Sequence, residues 1–488
     1  MLSRDFAFYG LLDLLQRSLS IIMLPIYTRV LSQTSYGDLD IIFTVSSALL
    51  VLVDLQLVPG FSRFYLSHRD NGYGPRFAGS AILTRLALGT VITSVFLALG
   101  YSGLMELKFI PSFLANGTAW TLMALGVPLT LVYDILLLQT QMLRRKRWFF
   151  IGVVGNSIFS ITLCILFTLV VPLGIMGVAL GQLLGKLVST LFLCRGLRGE
   201  VSLSYHAESM KEALSYTLPL VPGWWIGFSS AYICRFFVYG ELGAAENALL
   251  AITMKLTSVL GLFCIAFRTA WIPLAMAYID NEGGEAFYIR SLRLFMAGGM
   301  FSVFSLTVLA GPILIILAPQ SYGAAVLYIP VFLVGGIISE LDFNIQLGNQ
   351  ISKKTYWISI ASAVTFTINL IVLVLFTHRF GIYAAGLGFL VAFIAKVCIN
   401  YFSAQRNYKI HYDKRALLVF CFGCVVLLAL SAGRNSGVVP EAMFIGMAAL
   451  LSILLPSVIF TVPERQAIRA LAVRAVRQLA NFRSVSHP

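Results

Sequence analysis

Charge is what this sequence has too little of. Only 11% of its 488 residues are Asp, Glu, Lys or Arg, against roughly 25% in an average soluble domain. A soluble chain of this length would form two or three domains with charged, wet surfaces, and the side chains for such surfaces are missing. Histidine is sparse as well: His68, His206, His378, His411 and His487 are scattered and form no ligand cluster. The seven cysteines are odd in number and all sit in apolar runs, which excludes a disulfide framework. Cys421 and Cys424 form a CxxC within one such run, with no partner ligands for a metal. No Gly-x-x-x-x-Gly-Lys loop occurs, so ATP hydrolysis is not expected, and no nucleophile–base constellation stands out. We therefore expect no metal, no cofactor and no enzymatic chemistry. The first apolar stretch begins near Phe6, carries Asp13, Gln16 and Arg17, and lacks a small-residue cleavage site, so it is not read as a signal peptide.

What is present is hydrophobic sequence, 59% of the chain, in runs of about 20 residues. That is the length a helix needs to cross a bilayer, and far longer than the strands of a membrane barrel. The chain is expected to be an all-α polytopic membrane protein of about fourteen spans. The first seven lie near 8–30, 37–58, 79–100, 119–142, 149–170, 174–194 and 214–237. The others lie near 247–269, 292–316, 325–348, 356–377, 382–403, 416–432 and 442–461. With both termini cytoplasmic, one side then collects nearly all loop cations, including Arg144, Arg145, Lys146 and Arg147. The other holds only Arg29, Lys108, Arg379 and Arg434. This alternation obeys the positive-inside rule. It also accounts for the formal net charge of +14, so nucleic acid is not expected as a partner.

The chain repeats itself. QTQMLRRKRWFFIG (139–152) resembles IQLGNQISKKTYWIS (345–359) at a shift of 208, and LGIMGVALG (173–181) resembles FGIYAAGLG (380–388) at a shift of 207. A weaker echo links Arg29 with Arg235 at 206. Each copy holds an even number of spans, so the repeat is parallel, about an axis along the membrane normal. The expected organisation is a six-helix lobe (1–198), a second six-helix lobe (211–405), an extra helix pair (414–462) and a tail (463–488). In the tail, Ile468, Leu471, Ala475 and Leu479 share one helical face, with Arg465, Arg469 and Arg477 off it. That pattern suits a basic amphipathic helix on anionic lipids of the cytoplasmic leaflet. Two six-helix lobes around a central cavity is a transporter plan.

LPIYTRVLSQTSYGDLDIIFTV (24–45) resembles the N-terminal signature of bacterial polysaccharide flippases of the O-antigen (Wzx) type. The residues carrying it are Pro25, Ile26, Tyr27, Arg29, Leu31, Tyr36 and Gly37. ALSYTLPLVPGWW (213–225) and FRTAWIPLAM (267–276) are similar to later segments of the same family, within the multidrug/oligosaccharidyl-lipid/polysaccharide exporter superfamily. The resemblance implies a MATE-like fold in a bacterial inner membrane. It implies a flippase that moves a polyprenyl-pyrophosphate-linked oligosaccharide of O-antigen, capsule or exopolysaccharide from the cytoplasmic to the periplasmic leaflet. A glycan polymerase, glycosyltransferases and H⁺ or Na⁺ coupling are the corresponding partners. One departure is that Cys234, not an acid, precedes Arg235 on span 7.

Ionisable residues inside the membrane are costly and usually face a cavity or a partner. Arg17 and Lys255 fall near the midplane and are the first candidates for substrate contact, with Arg29, Arg235, Lys186 and Lys396 completing a cationic set. Arg17 could instead pair with Asp13 one turn earlier, and Lys186 and Lys396 could snorkel. Arg85 and Arg268 lie close enough to the cytoplasmic face to snorkel as well. Among membrane carboxylates, Asp134 falls on Asp342 at the repeat shift. That pair, with Asp54, is read as a gate or a proton or cation site, the alternative being helix-packing acids. Two other functions stay open. A multidrug/cation antiporter of the same superfamily should have acids dominating its cavity, whereas here cations outnumber acids. The other is a glycan-assembly component without transport: as a glycosyltransferase or polymerase it would need a large periplasmic loop or an acid motif, and 101–118 is short, while as a scaffold it would need neither.

Overall fold

The computed structural model describes residues 12, 21–103, 116–279, 283–352, 354 and 356–466. Among these residues all regular structure is helical. The chain runs through α1 (Leu24–Val30), α2 (Gln33–Asp54), α3 (Leu57–Asp70), α4 (Gly74–Tyr101), α5 (Gly117–Met142), α6 (Lys146–Val170), α7 (Gly174–Gly196) and α8 (Ala207–Thr217). It continues with α9 (Val221–Leu242), α10 (Ala244–Ala277), α11 (Gly284–Leu317), α12 (Ala325–Ile351), α13 (Tyr356–Phe380), α14 (Ile382–Asn407), α15 (Lys414–Asn435) and α16 (Glu441–Ile459).

Among the described residues, 12 helices are long and apolar enough to cross a membrane: α2, α4 to α7, and α10 to α16. The expected spans 8–30 and 214–237 complete the fourteen read from the sequence. Most of the former lies outside the described residues, as do Lys108 and the tail beyond residue 466. The latter is not one helix. It is divided into α8, a tight 3₁₀ turn at Leu218–Leu220, and α9, where Pro219 and Pro222 begin new turns. α9 has 22 residues, but its Trp, Tyr and Arg side chains keep it out of the 12.

The second span also ends earlier than its apolar run. α2 stops at Asp54, and Leu55 (φ 49°) and Gln56 (φ 54°) both take the left-handed conformation. Two consecutive non-glycine residues there are strained, and packing beyond them offsets the strain. α3 is amphipathic and buries Leu57, Phe61 and Tyr65 against Phe77, Ala78 and Ala81 of α4 and Met210 and Ala213 of α8. Phe61 stacks on both Tyr65 (4.7 Å between centroids) and Phe77 (5.2 Å). What reads as a loop around Arg63 is therefore a helix.

The chain divides into two compact units. One holds the residues up to Lys255 with Leu314–Ala325 and Ser362–Gly388. The other holds Leu256–Ile313, Val326–Ala361 and the residues from Phe389 onward. Two glycines that the expected repeat aligns share one backbone conformation. Gly174 opens α7 with φ 58°, and its repeat mate Gly381 precedes α14 with the same φ of 58°. A side chain would strain this conformation, so both copies place glycine there.

In the second unit the segment after α16 is tied to the start of α11. Arg293 donates to Asp413 at 3.1 Å and to Glu464 at 2.8 Å. Asp413 also caps α15, accepting from the backbone N–H of Arg415 and Ala416. Burial pushes both carboxyls up, but Arg293 and the backbone donors outweigh it. Each is held below its ordinary value, 3.8 for Asp413 and 4.5 for Glu464. A carboxyl with a depressed folded-state pKa contributes stability above its unfolded value and loses it as pH falls through the folded one. Thermal unfolding of the detergent-purified protein should therefore shift down as pH drops below about 4.5. Arg293→Gln should lower stability at pH 7 and flatten that acid dependence. An unchanged acid profile in the variant would refute the assignment.

Candidate functional site

Three clusters of intramembrane charge are built within the two units. The first joins α2, α9 and α10 in the first unit. Asp40 sits one turn below Tyr36 and Gly37 on α2 and is buried. Arg235 of α9 donates to the Asp40 carboxylate at 3.1 Å and to the Thr44 hydroxyl at 3.0 Å. Asn247 of α10 donates to the other Asp40 oxygen at 3.3 Å and to the Gly37 carbonyl at 3.0 Å. The helices come so close here that a Cβ on Gly37 would lie 1.8 Å from the Ala244 carbonyl oxygen. That contact explains why Gly37 follows Tyr36. Lys255, eleven residues into α10 and about 17 Å along it, acts electrostatically on both Asp40 and Arg235. One carboxylate is thus paired with a cation of α9 and lies in the field of a second cation, on α10.

The second cluster, also in the first unit, lies toward the other end of α2. Arg85 of α4 is fully buried, forms an ion pair with Asp54 and donates to the Leu131 carbonyl at 3.1 Å. Asp134 of α5 lies in the field of both Lys186 and Arg85. The Lys186 ammonium sits 4.0 Å from the centre of the Tyr133 ring, and the Tyr133 hydroxyl donates to the Gly152 carbonyl at 3.0 Å. That carbonyl belongs to a π-turn of α6 (Ile151–Gly155). A small cavity of about 90 Å³ reaches Lys186, with Ser46, Thr130 and Gln182 among its walls.

The third cluster belongs to the second unit. Asp342 of α12 is 2% exposed. It accepts from Lys396 at 3.3 Å and from Asn400, one turn later on α14, at 2.7 Å. Glu340 pairs with Arg268 of α10, whose guanidinium lies 4.5 Å from the Phe343 ring centre. The same unit has a wholly apolar cavity of about 420 Å³ walled by α12, α14 and α15.

The arrangement pairs most of the residues singled out in the sequence. Arg235 pairs with Asp40, Lys396 with Asp342 and Arg85 with Asp54, while Lys255 lies in the field of Asp40 and Lys186 in that of Asp134. Asp134 of α5 and Lys186 of α7 thus stand in the same relation as Asp342 of α12 and Lys396 of α14. Arg29 is exposed instead and donates to the Ile316 carbonyl at 2.8 Å, near the C-terminal end of α11. Arg17 and Asp13 lie outside the described residues. The expectation that Arg85 snorkels is overturned, because its side chain has no exposed surface. Sequence reasoning missed Asp40, Thr44, Asn247 and Asn400. The four-residue steps Asp40 to Thr44 and Lys396 to Asn400 are the signals that could have found them. The departure at Cys234 also finds its reason: the acid for Arg235 comes from α2 rather than from α9.

These pairs set a stability test. Removing one partner of a buried ion pair strands the other and costs about 3–5 kcal/mol, whereas replacing both is often close to neutral. Lys396→Met should therefore lower the thermal stability of the detergent-purified protein sharply. The Asp342→Asn, Lys396→Met double variant should recover most of the loss. A double variant as unstable as the single would mean that Lys396 does not neutralise Asp342.

A family model described as polysaccharide biosynthesis protein matches residues 2–278. The solved structure titled lipid II flippase MurJ, in an inward closed conformation, superposes with a TM-score of 0.67 at 15% identity, covering 94% of this chain and 99% of that one. An inward-facing multidrug resistance MATE family transporter of the MOP superfamily also gives 0.67 at 15% identity, covering 80% and 94%. A MOP superfamily transporter from Pyrococcus furiosus, titled for the reverse polarity of its binding pocket, gives 0.55 at 17% identity, covering 82% and 95%. These similarities establish a fold shared with MATE transporters. No curated protein matches by sequence.

Proposed function

Because the chain belongs to the polysaccharide biosynthesis protein family and shares the fold of MOP-superfamily transporters, we propose that it is a flippase. Its substrate on this reading is a polyprenyl-pyrophosphate-linked oligosaccharide, the repeat unit of an O-antigen, capsule or exopolysaccharide. It passes from the cytoplasmic to the periplasmic leaflet of a bacterial inner membrane by alternating access of two six-helix lobes. The observation that carries the reading is the Arg235–Asp40 pair, with Lys255 in its electrostatic field. A pyrophosphate presents more acceptor oxygens than one carboxylate. It can take the Arg235 fork bidentately and Lys255 as a point charge while Asp40 gives way. The fold neighbour MurJ, titled a lipid II flippase, lends the same support.

Asp54, Asp134 and Asp342 are then gate elements, whose pairs with Arg85, Lys186 and Lys396 break and reform as the cavity changes sides. Each already has a basic partner, which disfavours open Na⁺ sites and leaves proton exchange as the coupling they suit. The same pairing argues against a cation antiporter, whose acids must be available to a positive ligand. Glycosyltransferases and a polymerase would supply and consume the substrate, and the basic tail would rest on anionic lipid.

Flipping of a fluorescent lipid-linked oligosaccharide by the reconstituted protein tests the reading. The Asp40→Asn, Arg235→Gln double variant removes one charge of each sign and breaks no pair halfway, so it should insert normally yet flip on the order of tenfold more slowly, the loss of one charge-assisted contact. Lys255→Ala should do the same. Wild-type rates in both would overturn the proposal. The orientation has its own check. Cysteines placed at Arg379 and Arg434 should react with an impermeant thiol reagent from the periplasm, and cysteines at Arg145 and Lys414 should not. Labelling at position 145 from outside would invert the topology.

A further inference from the structure

Below the Asp40–Arg235 pair, the seam between α2 and α9 changes character. On α2 the face that carries Asp40 and Thr44 continues at Ala48, Val51 and Leu52. On α9 the face that carries Arg235 runs back through Tyr232, Phe228 and Trp225. At the charged end the helices are joined by hydrogen bonds. At the other they part around a cavity of about 330 Å³, closed on a third side by Phe366 of α13, all within the first unit. The small Ala48 side chain leaves the space open. Phe228 and Tyr232 stack at 4.3 Å with their planes 15° apart, and the Arg235 guanidinium lies 5.3 Å from the Tyr232 ring centre. The aromatic ladder therefore runs directly into the charged cluster.

One polar group bordering the slot is committed elsewhere. The Trp225 indole N–H donates to the Val51 carbonyl at 3.1 Å. That carbonyl is one of the last four of α2, which have no partner within the helix because the chain turns away at Leu55. Trp225 thus shows the slot its ring and not its donor. Besides that indole, the polar groups on the lining side chains are the Ser229 and Tyr232 hydroxyls. A sugar placed here would bury several hydroxyls with too few partners. A hydrocarbon chain leaves nothing unpaired, and π faces suit an unsaturated one.

We propose that this slot receives the first isoprene units of the lipid carrier, directly beneath its pyrophosphate. The proposal rests on the flippase reading, which places the pyrophosphate at Arg235 and Lys255, and it commits to a prenyl chain rather than a bulk-lipid acyl chain. On this view the protein recognises the junction of the carrier, charge above and isoprene below, and leaves the glycan unspecified by this element.

Calorimetric titration of the full-length protein in detergent tests it, with farnesyl pyrophosphate, inorganic pyrophosphate, farnesol and dodecanol as probes. Farnesyl pyrophosphate should bind on the order of tenfold or more tighter than inorganic pyrophosphate, because burying several chain carbons adds to the contact. Ala48→Phe, which fills the slot, should abolish that difference, so that both ligands bind it alike. Ala48→Leu, a smaller change, should reduce it. Farnesol should bind the wild type more tightly than dodecanol, whose main chain has the same number of carbons. Equal binding of farnesyl and inorganic pyrophosphate to the wild type would overturn the slot while leaving the pyrophosphate site standing. Equal binding of farnesol and dodecanol would overturn the choice of a prenyl chain. If farnesol binds as tightly as farnesyl pyrophosphate, and Ala48→Phe weakens both, the slot holds and the pyrophosphate reading fails.

Discussion

A charge in hydrocarbon must have a partner, and most of what is specific in this structure follows from that. The acids and bases of the spanning helices are few, and among the described residues they gather into groups: Asp40 with Arg235 and Lys255, Asp54 with Arg85 and Asp134 with Lys186, Asp342 with Lys396, Glu340 with Arg268. Lipid offers helices little hydrophobic reason to associate, since its tails are as apolar as their side chains. Ion pairs and close backbone contacts therefore decide which helices neighbour which. The α2–α10 approach at Gly37, sealed by Asn247, is one such contact. Without it Asp40 would lose one of its donors.

Buried pairs are poor sources of net stability, because desolvation offsets much of their attraction. Their value lies in being breakable at a definite cost. A pair such as Asp342–Lys396 opens only when something replaces the lost attraction, whether a proton on the carboxylate or a competing ion on the lysine. This suits a machine with two states better than a permanent bolt would. Asp134 with Lys186 and Asp342 with Lys396 place the same kind of breakable joint in both units. The lysines do not sit at matching positions: Asp134 and Asp342 are 208 apart, but Lys186 and Lys396 are 210 apart.

The fold was legible because its signals are local. Twenty-residue apolar runs specify spans, and Gly174 and Gly381 mark equivalent turns through a backbone requirement that no neighbour can alter. The misreadings have non-local causes. α2 stops at Asp54 because Arg85, from another helix, holds that carboxylate, and because Phe61 and Tyr65 find a bed on α4 and α8. Nothing in residues 50–60 alone announces either partner. Arg85 looked able to snorkel because it lies near a helix end, yet the Asp54 carboxylate and the Leu131 carbonyl give it a buried destination. At the site, the cations were legible as types and positions. Their partners were not, because Asp40 reads as the polar start of an apolar run until α9 brings Arg235 beside it.

α2 carries more of the proposed function than any other element, and its sequence explains how one helix serves two chemistries. Its first half must offer acceptors to α9 and α10, and Asp38, Asp40 and Thr44 supply Tyr239, Asn247 and Arg235 with them. Its second half must be apolar, and Ala48, Val51 and Leu52 leave room for the aromatic side chains of α9. Extending the helix past Asp54 would restore the normal partner of the Val51 carbonyl and release the Trp225 indole from it. The two left-handed residues Leu55 and Gln56 prevent that extension. Their strain thus has a use that packing alone does not explain: it fixes the aromatic wall of the slot by leaving one carbonyl free at the end of the opposing helix.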